Sequence, residues 1–188
     1  ILPFLEKQID IDEFTPMANL AFDVTDDAMV YLSYSEGFKS GGFTQRVFPP
    51  VVAGFTAPPG TPDIDLIPTY EPEFVEVLEL GFKLSFLDNR VRVNGALFQT
   101  DYENLQVQVF NSVAPVTENI GEATIDGFEL ELMAAPGGGW FVEASLSLLD
   151  AEYDDIDTGI TLIGENFDFE RVPETSASLG VSKEFQLD

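Results

Sequence analysis

The 188-residue chain carries 8 Lys and Arg against 34 Asp and Glu, a formal net charge of −26, with no cysteine, no histidine and 17 Phe. Without Cys or His there is no disulfide framework, no Cys/His zinc site, and no triad or general base built on either residue near neutral pH. The charge leaves no nucleic-acid partner, because the eight cations are scattered rather than gathered into a basic patch, and it disfavours anionic headgroups on the same grounds. A disordered acidic chain would be poor in aromatics, whereas 45% of these residues are hydrophobic. The composition therefore describes something folded and two-faced.

Residues 1–15 read as an incoming segment, without the basic stretch and apolar run of a targeting peptide. No window approaches 18 consecutive apolar residues, so a helical span is excluded and a strand-built one is not. From residue 16 onward the dominant signal is two-residue alternation bounded by turn formers. It predicts seven antiparallel strands near 16–24, 28–36, 73–86, 90–110, 118–134, 140–153 and 172–186. In the third, Phe74, Leu78, Leu80, Phe82, Leu84 and Phe86 share a parity interrupted by Glu76, and Glu79, Gly81, Lys83 and Ser85 take the other. The fourth could be cut at Glu103-Asn104, but the cut would put two connections out of phase, so one long strand is expected. Phe128, Leu130 and Leu132 oppose Glu129 and Glu131 in the fifth. Trp140, Val142, Ala144, Leu146 and Leu148 oppose Phe141, Glu143, Ser145 and Ser147 in the sixth. Ala177, Leu179, Val181 and Phe185 oppose Ser176, Ser178, Gly180, Ser182 and Glu184 in the seventh.

The connections alternate strictly between short and long. Thr25-Asp26-Asp27, Leu87-Asp88-Asn89 and Ala135 to Gly139 are tight; Gly37 to about Glu71, Asn111 to about Thr117, and Asp154 to about Arg171 are long. Strands longer than a soluble sandwich needs, with short turns on one side and long loops on the other, have the pattern of an outer-membrane barrel. A soluble sandwich or lectin-like sheet also alternates, and stays open at this point.

In a barrel the apolar parity faces lipid, since every backbone group is paired around the ring. The polar parity then lines the interior, which places Glu79, Glu129, Glu131, Glu143, Ser145, Ser147, Ser176, Ser178 and Ser182 on a hydrated acidic wall. Glu76, on the apolar parity, is expected near the outer rim. Tyr31, Tyr34, Tyr70, Trp140 and Phe141 fall near strand ends, where they serve either as interfacial aromatics or as ordinary sheet packing. Seven such strands would leave two unpaired edges and no enclosed interior, so the expected object is part of a larger barrel.

The run Tyr31-Leu32-Ser33-Tyr34-Ser35-Glu36-Gly37-Phe38-Lys39-Ser40-Gly41-Gly42-Phe43 resembles a strand and loop of the TonB-dependent outer-membrane receptors. Three further stretches are similar to that family in the same order: Tyr70-Glu71-Pro72-Glu73 with Glu79-Leu80-Gly81-Phe82-Lys83, then Asn119-Ile120-Gly121-Glu122-Ala123 through Gly127-Phe128-Glu129-Leu130-Glu131, then Val172-Pro173-Glu174-Thr175-Ser176-Ala177. The resemblance implies an all-β fold: an antiparallel transmembrane barrel of about 22 strands, plugged by a separate N-terminal domain, of which residues 16–188 would be about a third. It implies a Gram-negative outer membrane, partnership with lipid and, through the missing N-terminal part, with the TonB complex. The implied activity is energised uptake of a scarce small ligand such as a ferric siderophore.

Lys39, Gln45 and Arg46 are the candidates for ligand recognition, because the long connection from Gly37 to Pro72 carries them and long loops on one side usually carry recognition. Asp150, Glu152, Asp154, Asp155 and Asp157 could offer calcium oxygen ligands, but they do not match an EF-hand, and a solvated acidic loop explains them. Glu129 and Glu131 lie about 7 Å apart on one face, a spacing that so acidic a chain produces by chance. No catalytic residue, cofactor or metal ligand is assigned. The alternatives are a soluble acidic β-sheet binding domain and a passive porin-like barrel.

Overall fold

The computed structural model describes residues 8–43, 69–110, 115–156, 169 and 172–185. Every regular element among them is a strand. Seven form one antiparallel sheet in the order β1 (Met17–Thr25), β2 (Ala28–Lys39), β5 (Glu73–Phe86), β6 (Val91–Glu103), β9 (Gly121–Gly137), β10 (Trp140–Ile156) and β11 (Thr175–Lys183). Two short hairpins complete the set: β3 (Gly42–Phe43) with β4 (Thr69–Tyr70), and β7 (Gln106–Phe110) with β8 (Pro115–Asn119). All tight turns lie at one end of the sheet and both hairpins at the other. The end with the tight turns is held by turn chemistry: Asp27 N donates to Thr25 Oγ1, and Gly137, Gly138 and Gly139 all sit at positive φ.

The strand expected over 90–110 is divided. Asn104 has φ 55°, which ends β6, and Gly121 has φ 143°, which ends the return strand at the same level. Pairing nevertheless runs through the bend. Tyr102 faces Ala123 and Gln106 faces Asn119, four residues on along one strand and four back along the other. Leu105 N donates to Gly121 O at 2.8 Å and Ile120 N to Leu105 O at 2.9 Å, carrying the ladder across. One continuous hairpin therefore leaves the sheet and bends, so the sequence reading holds for topology and fails for straightness. No side chain fits at Gly121, where a Cβ would strike the Asp155 carbonyl.

Register sorts the side chains into rows that cross the whole sheet. Leu20, Leu32, Leu80, Leu97, Phe128 and Leu148 are successive partners on one face. On the other face, Met29, Lys83, Asn94, Glu131, Ser145 and Ser178 are successive partners. The apolar face is open: Leu20 is 71% exposed, Leu80 55%, Leu97 57% and Leu179 74%. The buried hydrophobic residues among those described are Val116, Ile120, Ala123 and Ile156, all at the end where the connections are long. A sheet whose band of Leu and Phe stays uncovered, while a small dry core forms only beyond one end, has its hydrophobic solvent outside itself.

The band also slides along the strands. Its edge on the long-connection side lies at Leu78 on β5, but on β11 it lies at Ala177, whose row crosses β5 at Phe82. At the other edge Ala28 shares a row with Leu179, while β11 continues through Val181 and Lys183 toward Phe185. A slide of four residues from β5 to β11 is about 14 Å over four strand spacings of about 4.8 Å, and one of six from β2 to β11 is about 20 Å over five. The strands are thus inclined about 35–40° to the band, within the roughly 35–45° tilt of transmembrane barrels.

Candidate functional site

The band ends abruptly toward the long connections. The row beyond Leu80 holds Gln99, Asp126 and Asp150 on the apolar parity, and the next holds Glu36, Glu76, Asp101, Thr124 and Glu152. This places Glu76 at the outer rim, as expected from its parity. Tyr34 shares that parity and donates toward Glu36 and, at 3.0 Å, to Glu76, so its ring stays at the boundary with its hydroxyl among carboxylates. Trp140 marks the opposite boundary, where the Lys183 ammonium lies 4.8 Å from the centroids of both the Trp140 and Phe185 rings.

Two of the aromatics near strand ends, left open between the interface and ordinary sheet packing, lie on the polar parity. Phe141 pairs with Ser182. Tyr31 pairs with Gly81, its ring fills the space a Cβ would take there, and its hydroxyl donates to Glu79 Oε1 at 2.5 Å. For both, the parity agrees with sheet packing, the second of the two readings the sequence left open. The Lys83 ammonium lies 5.7 Å from the Tyr31 centroid. Asn94 Nδ2 donates to Glu131 Oε2 at 3.4 Å, and the Ser145 and Ser178 hydroxyls are 2.8 Å apart. Such a wall is satisfied by water or a polar partner and not by apolar packing.

Beyond the rim the two hairpins meet. Asn119 Oδ1 accepts from Glu71 N at 2.7 Å, and Asn119 Nδ2 donates to Glu71 O at 3.0 Å and to Asn104 O at 2.7 Å. Gln106, the register partner of Asn119, donates through Nε2 to Glu71 O at 2.9 Å and Ser40 O at 3.2 Å. Its backbone N donates to Glu73 Oε2 at 2.6 Å, the same carboxylate oxygen that lies 3.8 Å from Lys39 Nζ. Lys39 is thus brought to the junction with its side chain 60% exposed. Gln45 and Arg46 lie outside the described residues, as does Asp157 of the acidic run. Among the described residues no group of three or more acids is arranged to hold a metal ion. Glu71, Gln106 and Asn119 were not singled out as site residues in the sequence; Asn119 and Glu71 were visible only as members of the two stretches quoted above.

A tilted, strand-built wall with lipid outside and water inside defines a transmembrane β-barrel segment. The family model described as "TonB dependent receptor-like, beta-barrel" matches residues 6–187, and the chain belongs to that family. Membership places it in the outer membrane of a Gram-negative bacterium and sets aside the soluble sheet. The chain is 30% identical over 142 residues to a probable TonB-dependent siderophore receptor, PiuA, of Acinetobacter baumannii, covering 75% of this chain and 17% of that protein. It is 28% identical over 142 residues to the ferric-pyoverdine 358 receptor of Pseudomonas putida, covering 72% of this chain and 15% of that receptor. In fold it is similar to the ferric yersiniabactin uptake receptor FyuA of Yersinia pestis, with a TM-score of 0.63 and 22% identity, covering 89% of this chain and 22% of FyuA. The chain therefore spans about a sixth of the length of the curated relatives it matches.

Proposed function

We propose that the chain is a stretch of the wall of a TonB-energised receptor that imports a ferric siderophore, with the rest of the barrel and a plug domain supplied by the remainder of the protein. The observation that carries this reading is the pairing of an uncovered, tilted apolar band with a hydrated acidic inner wall. A passive wall would serve a pore equally, but both curated relatives described above are receptors of the siderophore class. In this reading the long connections and the plug capture the ligand, with Lys39 at the end of β2 and Gln45 and Arg46 in the connection that follows it. Energy from the inner membrane then rearranges the plug, while the wall keeps a polar lining along which the ligand passes.

The test is uptake of radioactive iron by cells expressing the full-length receptor, supplied with ferric complexes of a pyoverdine, a catecholate and a hydroxamate. Uptake of at least one complex, abolished when TonB is deleted, is the expected result. Uptake that persists without TonB, or none from a correctly inserted receptor with any ferric complex, overturns the assignment.

A further inference from the structure

The junction of the two hairpins is built in an unusual way. Glu71 follows β4, and Pro72 after it has no N–H, so a backbone ladder stops there. The Asn119 side chain takes the ladder's place: its amide oxygen accepts from Glu71 N and its amide nitrogen donates to Glu71 O. This is the two-bond pattern of a strand partner, made by a side chain. The third bond, from Nδ2 to Asn104 O, ties the same amide to the bend that ends β6. Gln106 reaches Glu71 O and Ser40 O from across the hairpin. Each end of the connection between β2 and β5 is therefore gripped by the β7–β8 hairpin, and Ile120, next to Asn119, is 1% exposed.

We propose that Asn119 is a positioning residue that locks the β3–β4 stem to the β7–β8 hairpin, so that the two stems form one preformed base for recognition and do not move independently. The lock is a property of the wall itself; only its consequence for ligand affinity rests on the siderophore-receptor reading. A preformed body binds with its intrinsic affinity, and a loosened one is weakened by the fraction of time spent correctly arranged.

The experiment places spin labels at Thr69 and Gln108, both exposed, in the full-length receptor in bilayers, and reads the distance distribution by pulsed electron resonance. This chain adds no cysteine of its own to interfere. A single narrow distribution is expected for the parent, at least doubled in width by Asn119→Ala and broadened less by Gln106→Ala. Heat-modified mobility on gels, which reports barrel closure, is expected to be unchanged in both variants. If Asn119→Ala unfolds the barrel, Asn119→Asp, which keeps the acceptor for Glu71 N and loses both donors, gives the same reading. A broad parent distribution, or a width unaltered in the Asn119→Ala, Gln106→Ala double variant, overturns the proposal. For uptake, loosening of the lock to one-tenth occupancy of the correct arrangement predicts an apparent KM raised about tenfold with the maximal rate kept. An unchanged KM in a variant whose distribution has broadened overturns the link to recognition. A receptor that takes up none of the ferric complexes leaves the distance measurement decisive by itself.

Discussion

Arginine at Leu130 tests the assignment of faces most directly. Leu130 lies on β9 in the row Phe22, Val30, Phe82, Gly95, Leu130, Leu146 and Ala177, with two apolar rows between it and the tight-turn end of the strand. Rows are two residues apart, about 6.8 Å along a strand and about 5 Å in depth at the tilt of a transmembrane barrel. Position 130 is therefore near mid-depth, where an Arg on the lipid face costs roughly 2–4 kcal/mol, or about 30- to 700-fold in the folding equilibrium. Glu129, one residue away, is on the opposite parity beside Ser147 and Ala96. Arg there meets a hydrated wall rich in carboxylates and is expected to change stability by less than about 0.5 kcal/mol. The assay is reversible urea unfolding of the full-length receptor from lipid vesicles, comparing Leu130→Arg, Glu129→Arg and the parent. Equal effects at the two positions, or a larger loss at 129, would refute the division into lipid and lumen faces.

Three further outcomes follow from local geometry. Gly121→Ala drives a Cβ into the Asp155 carbonyl at a φ of 143° and should cost about 2 kcal/mol or more, read as new protease cleavage within 104–122 while the rest of the wall stays protected. Tyr31→Phe removes the 2.5 Å hydrogen bond to Glu79 and keeps the ring over Gly81, so a loss of about 1–2 kcal/mol is expected in the same urea assay, and Tyr31→Ala, which uncovers Gly81 as well, should lose more. Lys39→Ala breaks an exposed 3.8 Å ion pair and should change stability by under about 0.5 kcal/mol; its effect is expected in ferric-siderophore affinity, and wild-type affinity in a titration would remove Lys39 from the recognition surface.

The wall was legible because a strand in a barrel imposes its period on every residue. Leu78, Leu80 and Phe82 alternate with Glu79 and Gly81, and the same alternation in β9, β10 and β11 needs no knowledge of what pairs with what. The sequence offers the bend as a cut at Glu103-Asn104, and the phase of the connections sets that cut aside, because a bend that keeps the pairing has no signature of its own. Asn104 and Gly121 are ordinary turn formers in sequence, and only their registration across the hairpin shows that both strands break at one level. The junction was harder still. Asn119 and Glu71 are 48 residues apart, and a side chain standing in for a strand leaves no periodic trace. Tyr31 shows a related limit: the approach of its ring to Gly81 depends on a neighbouring strand, so its position near a strand end said nothing of its partner.

The uneven placement of burial explains why charge and hydrophobicity coexist here. In the band, a Leu side chain gains from lipid what a soluble protein gains from its core, so the sheet needs no second layer and leaves Leu80 and Leu97 uncovered. Past the rim the chain is back in water, and there it must bury side chains to hold a shape, as Val116, Ile120, Ala123 and Ile156 do. Beside these buried side chains the stems are joined by directional polar contacts, the Asn119 amide to Glu71 and Asn104. The acids follow the same boundary. On the outward face they begin one row beyond Leu80, at Asp126 and Asp150 beside Gln99, where lipid gives way to water, and on the inward face they run the full depth of the wall. A charge of −26 spread in this way describes two aqueous surfaces separated by a lipid-facing band, and does not describe one acidic binding site.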